Sequence, residues 1–227
     1  CPNSLLNFRR ELLCALVGQH FKVHVAAPGL ASRSRIRDQL EELGIHAHNI
    51  FLARTGTNPL IDLISIFKLC FLVYKIKPHF LLSYTIKPVI YGNICGWLLR
   101  VPNKFALITG LGIIFQGKRG RRIWLYPFAI ILYRFALKTV DTVIFQNPDD
   151  KKLFFDKSLI NTQRTRTTVT NGSGVNISEF QETEFPKQIR FLLIARFLGN
   201  KGIREYVRAA KIIKNNHPDI GFDLVGW

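Results

Sequence analysis

Ile189-Arg190-Phe191-Leu192-Leu193-Ile194-Ala195-Arg196-Phe197-Leu198-Gly199-Asn200-Lys201-Gly202-Ile203 is the stretch on which the fold turns. The apolar run from Phe191 to Ala195 is short and two-sided, the pattern of a strand buried in a parallel sheet. Arg196 leaves that strand at its carboxyl end. Lys201 and Gly202 open a helix whose apolar positions Ile203, Tyr206, Val207, Ala210 and Ile213 recur at helical spacing. In an open α/β sheet, ligands bind beyond the carboxyl ends of the strands, beside helix N-termini. Two fixed cations there, Arg196 and Lys201, suit a phosphate or diphosphate. Read singly, each is a solvated surface residue; the pair at a strand end is what points to phosphate.

Outward from this stretch, strand and helix patterns alternate. Strands are predicted at 21–26, 45–51, 79–83, 104–109, 140–145, 166–170, 190–195 and 221–225. Helices are predicted at 4–17, 33–43, 59–76, 88–99, 122–138, 148–156 and 201–215. Such alternation is the signature of parallel βαβ units. The first helix is predicted to be capped by Ser4, with Leu5, Phe8, Leu12, Leu13 and Leu16 as its apolar face. The turns at 27–29, 83–88, 109–112 and 146–148 fall on one carboxyl edge, where a cleft belongs. There Thr109-Gly110-Leu111-Gly112 lets a sugar or phosphate approach the backbone, although a tight turn explains each glycine equally well. Lys87 faces either an anion or solvent, and Thr85 and Asn147 are candidate hydrogen-bonding groups. Gly172 and Gly174 allow positive-φ turns just before a polar, acidic segment, 176–188, that reads as a linker.

The formal net charge is +17, and its distribution matters more than its size. From Leu63 to Val140 there is no Asp or Glu, against twelve Lys and Arg. The same stretch holds Trp97, Trp124, Tyr126, Phe128, Tyr133 and Phe135. A basic, aromatic face suits an anionic lipid surface, where each nearby cation contributes about 1 kcal/mol. A spanning helix needs about 20 apolar residues. Asp62, Lys68, Lys75 and Lys77 interrupt residues 60–77, so peripheral attachment is the expectation. Basic patches with aromatics also bind single-stranded nucleic acid; the absence of an RNP signature, zinc spacing or repeat argues against that partner. Cys1, Cys14, Cys70 and Cys95 show no Cys-x-x-Cys spacing and read as reduced, buried thiols of a cytosolic protein. His46-Ala47-His48 would hold a metal only if both imidazoles faced one way, and reads as a polar strand face. No Asp-x-Asp motif is present, and no metal is expected.

Ala195-Arg196, Lys201-Gly202, the helix through Ala209-Ala210 and the strand Phe222-Asp223-Leu224-Val225-Gly226 resemble the start of the second domain of family-4 glycosyltransferases. The resemblance continues upstream, in family order, through Ser4-Leu5-Leu6-Asn7-Phe8-Arg9, Thr85-Ile86-Lys87-Pro88, Tyr91-Gly92, Thr109-Gly110-Leu111-Gly112, Gln146-Asn147-Pro148 and Gly172-Ser173-Gly174-Val175. It is nearest the bacterial branch that builds O-antigen, capsule and other glycans on a polyprenyl diphosphate carrier.

The resemblance implies an α/β, GT-B-like fold: a Rossmann-like N-terminal domain with a parallel sheet, at 1–175, the linker 176–188, and the beginning of a second Rossmann-like domain at 189–227. It implies that Arg196 and Lys201 grip the phosphates of a nucleotide-sugar donor, UDP-linked, used as substrate with no cofactor or essential metal. The acceptor, a polyprenyl-diphosphate-linked glycan, would meet Thr85, Lys87, Thr109, Gly110, Gly112, Asn147, Gly172 and Gly174. Transfer would retain anomeric configuration, on the cytoplasmic face of the cell membrane. The family's usual Gly-Val-Asp is here Gly174-Val175-Asn176, so that position is given no role. Its Glu-x7-Glu pair is missing, since no two glutamates are eight positions apart. The initial Cys1, the missing first strand and the stop at Trp227 read as truncation, and residues 1–227 alone are expected to be inactive. Two alternatives stay open: another GT-B nucleotide-sugar enzyme such as an epimerase, and a non-catalytic basic module for membranes or nucleic acid.

Overall fold

The computed structural model describes residues 2–31, 34–52, 59–110, 125–161 and 163–226. They form two compact units, Cys1–Val175 and Asn176–Trp227. The first contains α1 (Asn3–Gly18), β1 (His24–Ala27), α2 (Arg35–Glu42), β2 (His46–Asn49), α3 (Pro59–Ile76), β3 (Phe80–Tyr84) and α4 (Ile86–Leu98). It continues with β4 (Asn103–Ile108), α5 (Leu125–Lys138), β5 (Thr142–Phe145), α6 (Pro148–Asp156) and β6 (Arg166–Val169). The second unit contains β7 (Arg190–Ile194), a 3-10 turn Gly199–Lys201, α7 (Ile203–Asn216) and β8 (Gly221–Val225).

Every strand pairing among the described residues is parallel. β1 pairs with β2, β3 to β6 form a sheet in that order, and β7 pairs with β8. Parallel neighbours need long crossovers, which the intervening helices supply. The α/β fold class read from the alternating patterns is therefore the observed one.

The continuous apolar runs of β4 and β5 fit their place at the sheet centre. Ala106, Ile108, Val143 and Phe145 are buried beneath Val89 of α4, Ala136 and Leu137 of α5, and Phe154 of α6. Phe154 meets Phe145 and Tyr133 edge-on, with ring centroids 5.2 and 5.6 Å apart. Full burial of each such ring contributes about 1.5–3 kcal/mol. A second cluster joins Leu5 and Leu13 of α1 to Val25, Ala27, Leu40, Ile45 and Ala47.

Four expectations change. α1 is preceded by Pro2 without a side-chain cap, and Ser4 instead meets the Tyr84 hydroxyl at 3.3 Å. The sheet-facing stripe of α1 is Leu5, Arg9 and Leu13, spaced at i, i+4 and i+8, whereas Phe8 and Leu12 are exposed. α4 begins at Ile86, upstream of Pro88, because a proline in the first turn removes an N–H that has no intrahelical acceptor. Cys70 of α3 and Cys95 of α4 form a disulfide, their Cα atoms 5.2 Å apart. Helix packing brings them together across a sequence separation of 25 that carries no signature.

In the second unit, the apolar residues of β7 are largely exposed, although its two-sided pattern predicts burial. α7 holds the pair through Tyr206, whose hydroxyl reaches the Phe191 and Asp223 carbonyls, each at 2.8 Å.

Candidate functional site

Because β3 to β6 are parallel, their carboxyl ends share one sheet edge, and the loops leaving them hold most of the candidate residues. Thr85 follows β3 with φ 67° and ψ 158°, a conformation that strains a β-branched residue by about 1–3 kcal/mol. Its carbonyl accepts the Val89 N–H and starts α4, while its side chain makes no capping bond. Lys87 donates to Asp62 of α3 at 2.7 Å, both side chains about one-fifth exposed. Asp62 also accepts from Tyr91, and burial first, then the Asp62 charge and this hydrogen bond, push the Tyr91 phenol well above its ordinary range.

Thr109 is exposed after β4, and Gly110 has φ 134° with open space where a Cβ would stand. Gly112 lies outside the described residues. Asn147 caps α6: its Oδ1 accepts the Asp150 N–H at 2.7 Å, and its Nδ2 donates to the Asp150 carboxylate. Gly172 and Gly174, after β6, have φ 93° and 73° and also face open space.

Between those glycines, Ser173 joins three elements. Its Oγ accepts from Gln146 Nε2, after β5, and from Arg9 Nη1 of α1, both at 2.9 Å. The Arg9 guanidinium lies 5.5 Å from the centroid of the Tyr84 ring. Burial lowers the Arg9 pKa, partly offset by Tyr84. Arg9 is the edge residue that reasoning from sequence missed. The available signal was its place between Leu5 and Leu13 in a sheet-facing stripe.

In the second unit, Arg196 follows the carboxyl end of β7 and its carbonyl accepts the Leu198 N–H at 2.7 Å. Lys201 ends the 3-10 turn, and Gly202, at φ 74°, lets the chain swing into α7. Both cationic side chains are exposed and neither forms an ion pair among the described residues. Asp223 of β8 is committed elsewhere, to a two-point contact with Arg190 at 2.7 and 2.8 Å that lowers its pKa. Asn176 accepts the Ser178 N–H and hydroxyl, capping a short turn as an aspartate would.

His46 and His48 do point the same way, and both stack on His24 of β1. His24 Nδ1 and His48 Nε2 are 2.9 Å apart. Burial, then neighbouring imidazoles and cations, lowers both pKa values. No group of three or more His, Cys, Asp or Glu among the described residues is arranged to hold a metal ion.

A parallel sheet with Gly-bearing loops at its carboxyl edge, followed by a β–turn–α unit with two exposed cations, describes many nucleotide-handling folds. Residues 7–147 match the profile of one family, described as glycosyl transferase 4-like. The chain belongs to the glycosyl transferase 4-like family. This family-4 chain is 25% identical over 238 residues to the N,N'-diacetylbacillosaminyl-diphospho-undecaprenol alpha-1,3-N-acetylgalactosaminyltransferase of Campylobacter jejuni. The match covers 98% of the chain and 60% of that relative, so the chain spans about three-fifths of its length. Among solved structures, sucrose-phosphate synthase from Thermosynechococcus elongatus superposes with a TM-score of 0.64 at 15% identity, covering 96% of this chain and 55% of that one. Anabaena Alr3699/HepE, solved with UDP and glucose, gives 0.60 at 13% identity, covering 95% and 57%. Acinetobacter baumannii MurG gives 0.51 at 14% identity, covering 96% and 61%. These likenesses establish the fold as GT-B.

Proposed function

We propose that the whole protein is a glycosyltransferase that moves a sugar from a UDP-linked donor to a polyprenyl-diphosphate-linked glycan, with retention of configuration. The observation that carries this reading is the pair of exposed cations, Arg196 and Lys201, between the carboxyl end of β7 and the start of α7. Transfer breaks the bond between the anomeric carbon and the donor diphosphate, and negative charge builds on the leaving oxygen. A guanidinium and an ammonium set in advance at a helix N-terminus stabilise that charge as it forms. The edge loops around Thr85, Gly110 and Gly172 would receive the acceptor.

The lipid-linked acceptor fits a second feature. Leu60, Ile64, Phe67, Phe71 and Tyr74 form an exposed apolar stripe along α3. Lys68 and Lys75 flank it, and Lys68 lies over the Phe51 ring. Beside the stripe, an open groove of ≈ 880 Å³ runs past Phe67 and Phe71 to Gly29 and Asn49, after β1 and in β2. No helix among the described residues is long and apolar enough to cross a membrane. The reading is that α3 lies on the anionic inner leaflet, with rings in the interface and lysines at the phosphates.

The test is transfer of labelled sugar by the whole protein from UDP-N-acetylhexosamine to a polyprenyl-diphosphate-linked glycan. Arg196→Ala and Lys201→Ala should each lower kcat/KM by about a hundredfold, as expected for losing preorganised charge stabilisation. Full activity in both variants removes them from the donor site.

A further inference from the structure

Arg9 is a charged side chain where the fold calls for an apolar one. It is 8% exposed and sits between Leu5 and Leu13 on the face of α1 that packs on the sheet. Its Nη1 donates to the Phe8 carbonyl and to Ser173 Oγ, each at 2.9 Å. Its Nε–H is buried without an acceptor, and Nη2 has none among the described residues. Among the described residues no carboxylate pairs with it and Tyr84 is the one charge-bearing group acting on it, and the undescribed segments contain no Asp or Glu. An unpaired buried cation is among the costliest arrangements in a fold, and methionine would fill the same space without that cost.

The surroundings suit an anion. Ser173 Oγ accepts two hydrogen bonds, from Arg9 and Gln146, which uses both lone pairs and leaves its O–H to donate. Gly172 and Gly174 on either side, and Gly110 after β4, have nothing within 4 Å of where a Cβ would stand. The edge therefore offers a guanidinium, a hydroxyl donor and open space.

We propose that Arg9 and Ser173 form a diphosphate subsite at the carboxyl edge of the first unit. This rests on the glycosyltransferase reading for the source of the diphosphate, which is either the lipid-linked acceptor or the nucleotide-sugar donor. The chemistry of recognition, charge-assisted hydrogen bonds from a fixed guanidinium, is the same for both.

The experiment is calorimetric titration of the protein with inorganic pyrophosphate, alongside thermal unfolding. Arg9→Met should weaken pyrophosphate binding by about tenfold or more, the loss expected of a charge-assisted contact, while Tm stays level or rises. Unchanged affinity in Arg9→Met, or a lowered Tm with affinity retained, overturns the proposal. Should Arg9→Met fail to fold, Ser173→Ala, on an exposed loop, decides: a severalfold loss supports the subsite and unchanged affinity overturns it. Titrations with UDP and geranyl diphosphate then identify the source. A loss confined to geranyl diphosphate assigns the acceptor, a loss confined to UDP assigns the donor, and no loss for either overturns the proposal. The wider reading fails differently, when the whole protein transfers no sugar although its pyrophosphate binding still depends on Arg9.

Discussion

Gly92 is where α4 comes closest to the sheet, and adding one methyl there tests the packing that places Thr85 and Lys87. A Cβ on Gly92 would stand 2.5 Å from Ser83 Oγ and 3.5 Å from Ser83 Cβ. Ser83 and Gly92 are both buried, so the hydroxyl has little room to swing away. Overpacking of this kind costs about 1–3 kcal/mol, while alanine in place of glycine inside a helix contributes about 1 kcal/mol. Gly92→Ala should therefore be destabilising by about 0–2 kcal/mol, the difference of those two effects. With Ser83→Ala the first contact vanishes and only an ordinary 3.5 Å contact remains. In that background Gly92→Ala should stabilise by about 1 kcal/mol. The pair thus has a coupling energy of about 1–3 kcal/mol, readable from urea unfolding of the wild type, both single variants and the double variant. A coupling below about 0.5 kcal/mol, the range of independent sites, would refute the contact.

The Lys87–Asp62 pair should behave as a structural bridge between α3 and α4. Asp62→Asn, which removes the negative charge facing Lys87 and one of the two acceptor oxygens offered to Lys87 and Tyr91, should lower stability by about 1–3 kcal/mol in thermal unfolding, and Lys87→Met with Asp62→Leu should recover most of it. Acid should weaken the first unit through His24 and His48. Their folded pKa values lie below the ordinary 6.5, so the unfolded chain takes up protons first, and stability falls as pH drops below about 7 until the folded imidazoles also titrate. Tm measured against pH should be flatter in His48→Gln. On α3, Phe67→Glu with Phe71→Glu should abolish flotation with phosphatidylglycerol vesicles while leaving Tm unchanged, since both rings are about two-thirds exposed.

What was legible in the sequence was whatever a short window could carry. β4 and β5 announce themselves as apolar runs, and α6 by an asparagine, a proline and two aspartates at its start. The loops at the carboxyl edge could be named because parallel pairing leaves only one edge for them. Contacts made across the fold left no such mark. Asp62 and Lys87 are 25 residues apart, as are Cys70 and Cys95, and in both cases α3 packing on α4 creates the pair. The apolar segment 60–77 reads equally as a core or an interfacial helix for a related reason: its exposed stripe is distinguished only once α4 is seen to pack on α3 and leave that stripe uncovered. Arg9 is the instructive case, because its signal was local. Taking Leu5, Phe8, Leu12, Leu13 and Leu16 as the buried face of α1 fits hydrophobicity, but it spreads over more of the helix than one sheet can cover. The narrower stripe at 5, 9 and 13 satisfies the geometry and is broken by a cation. A hydrophobic count discards that stripe for its arginine, yet a sequence that breaks its own local rule at one position is the place to look for a ligand. Arg9→Met therefore separates the two explanations of the same helix: if the charge serves packing the fold weakens, and if it serves an anion the fold holds and only the anion is lost.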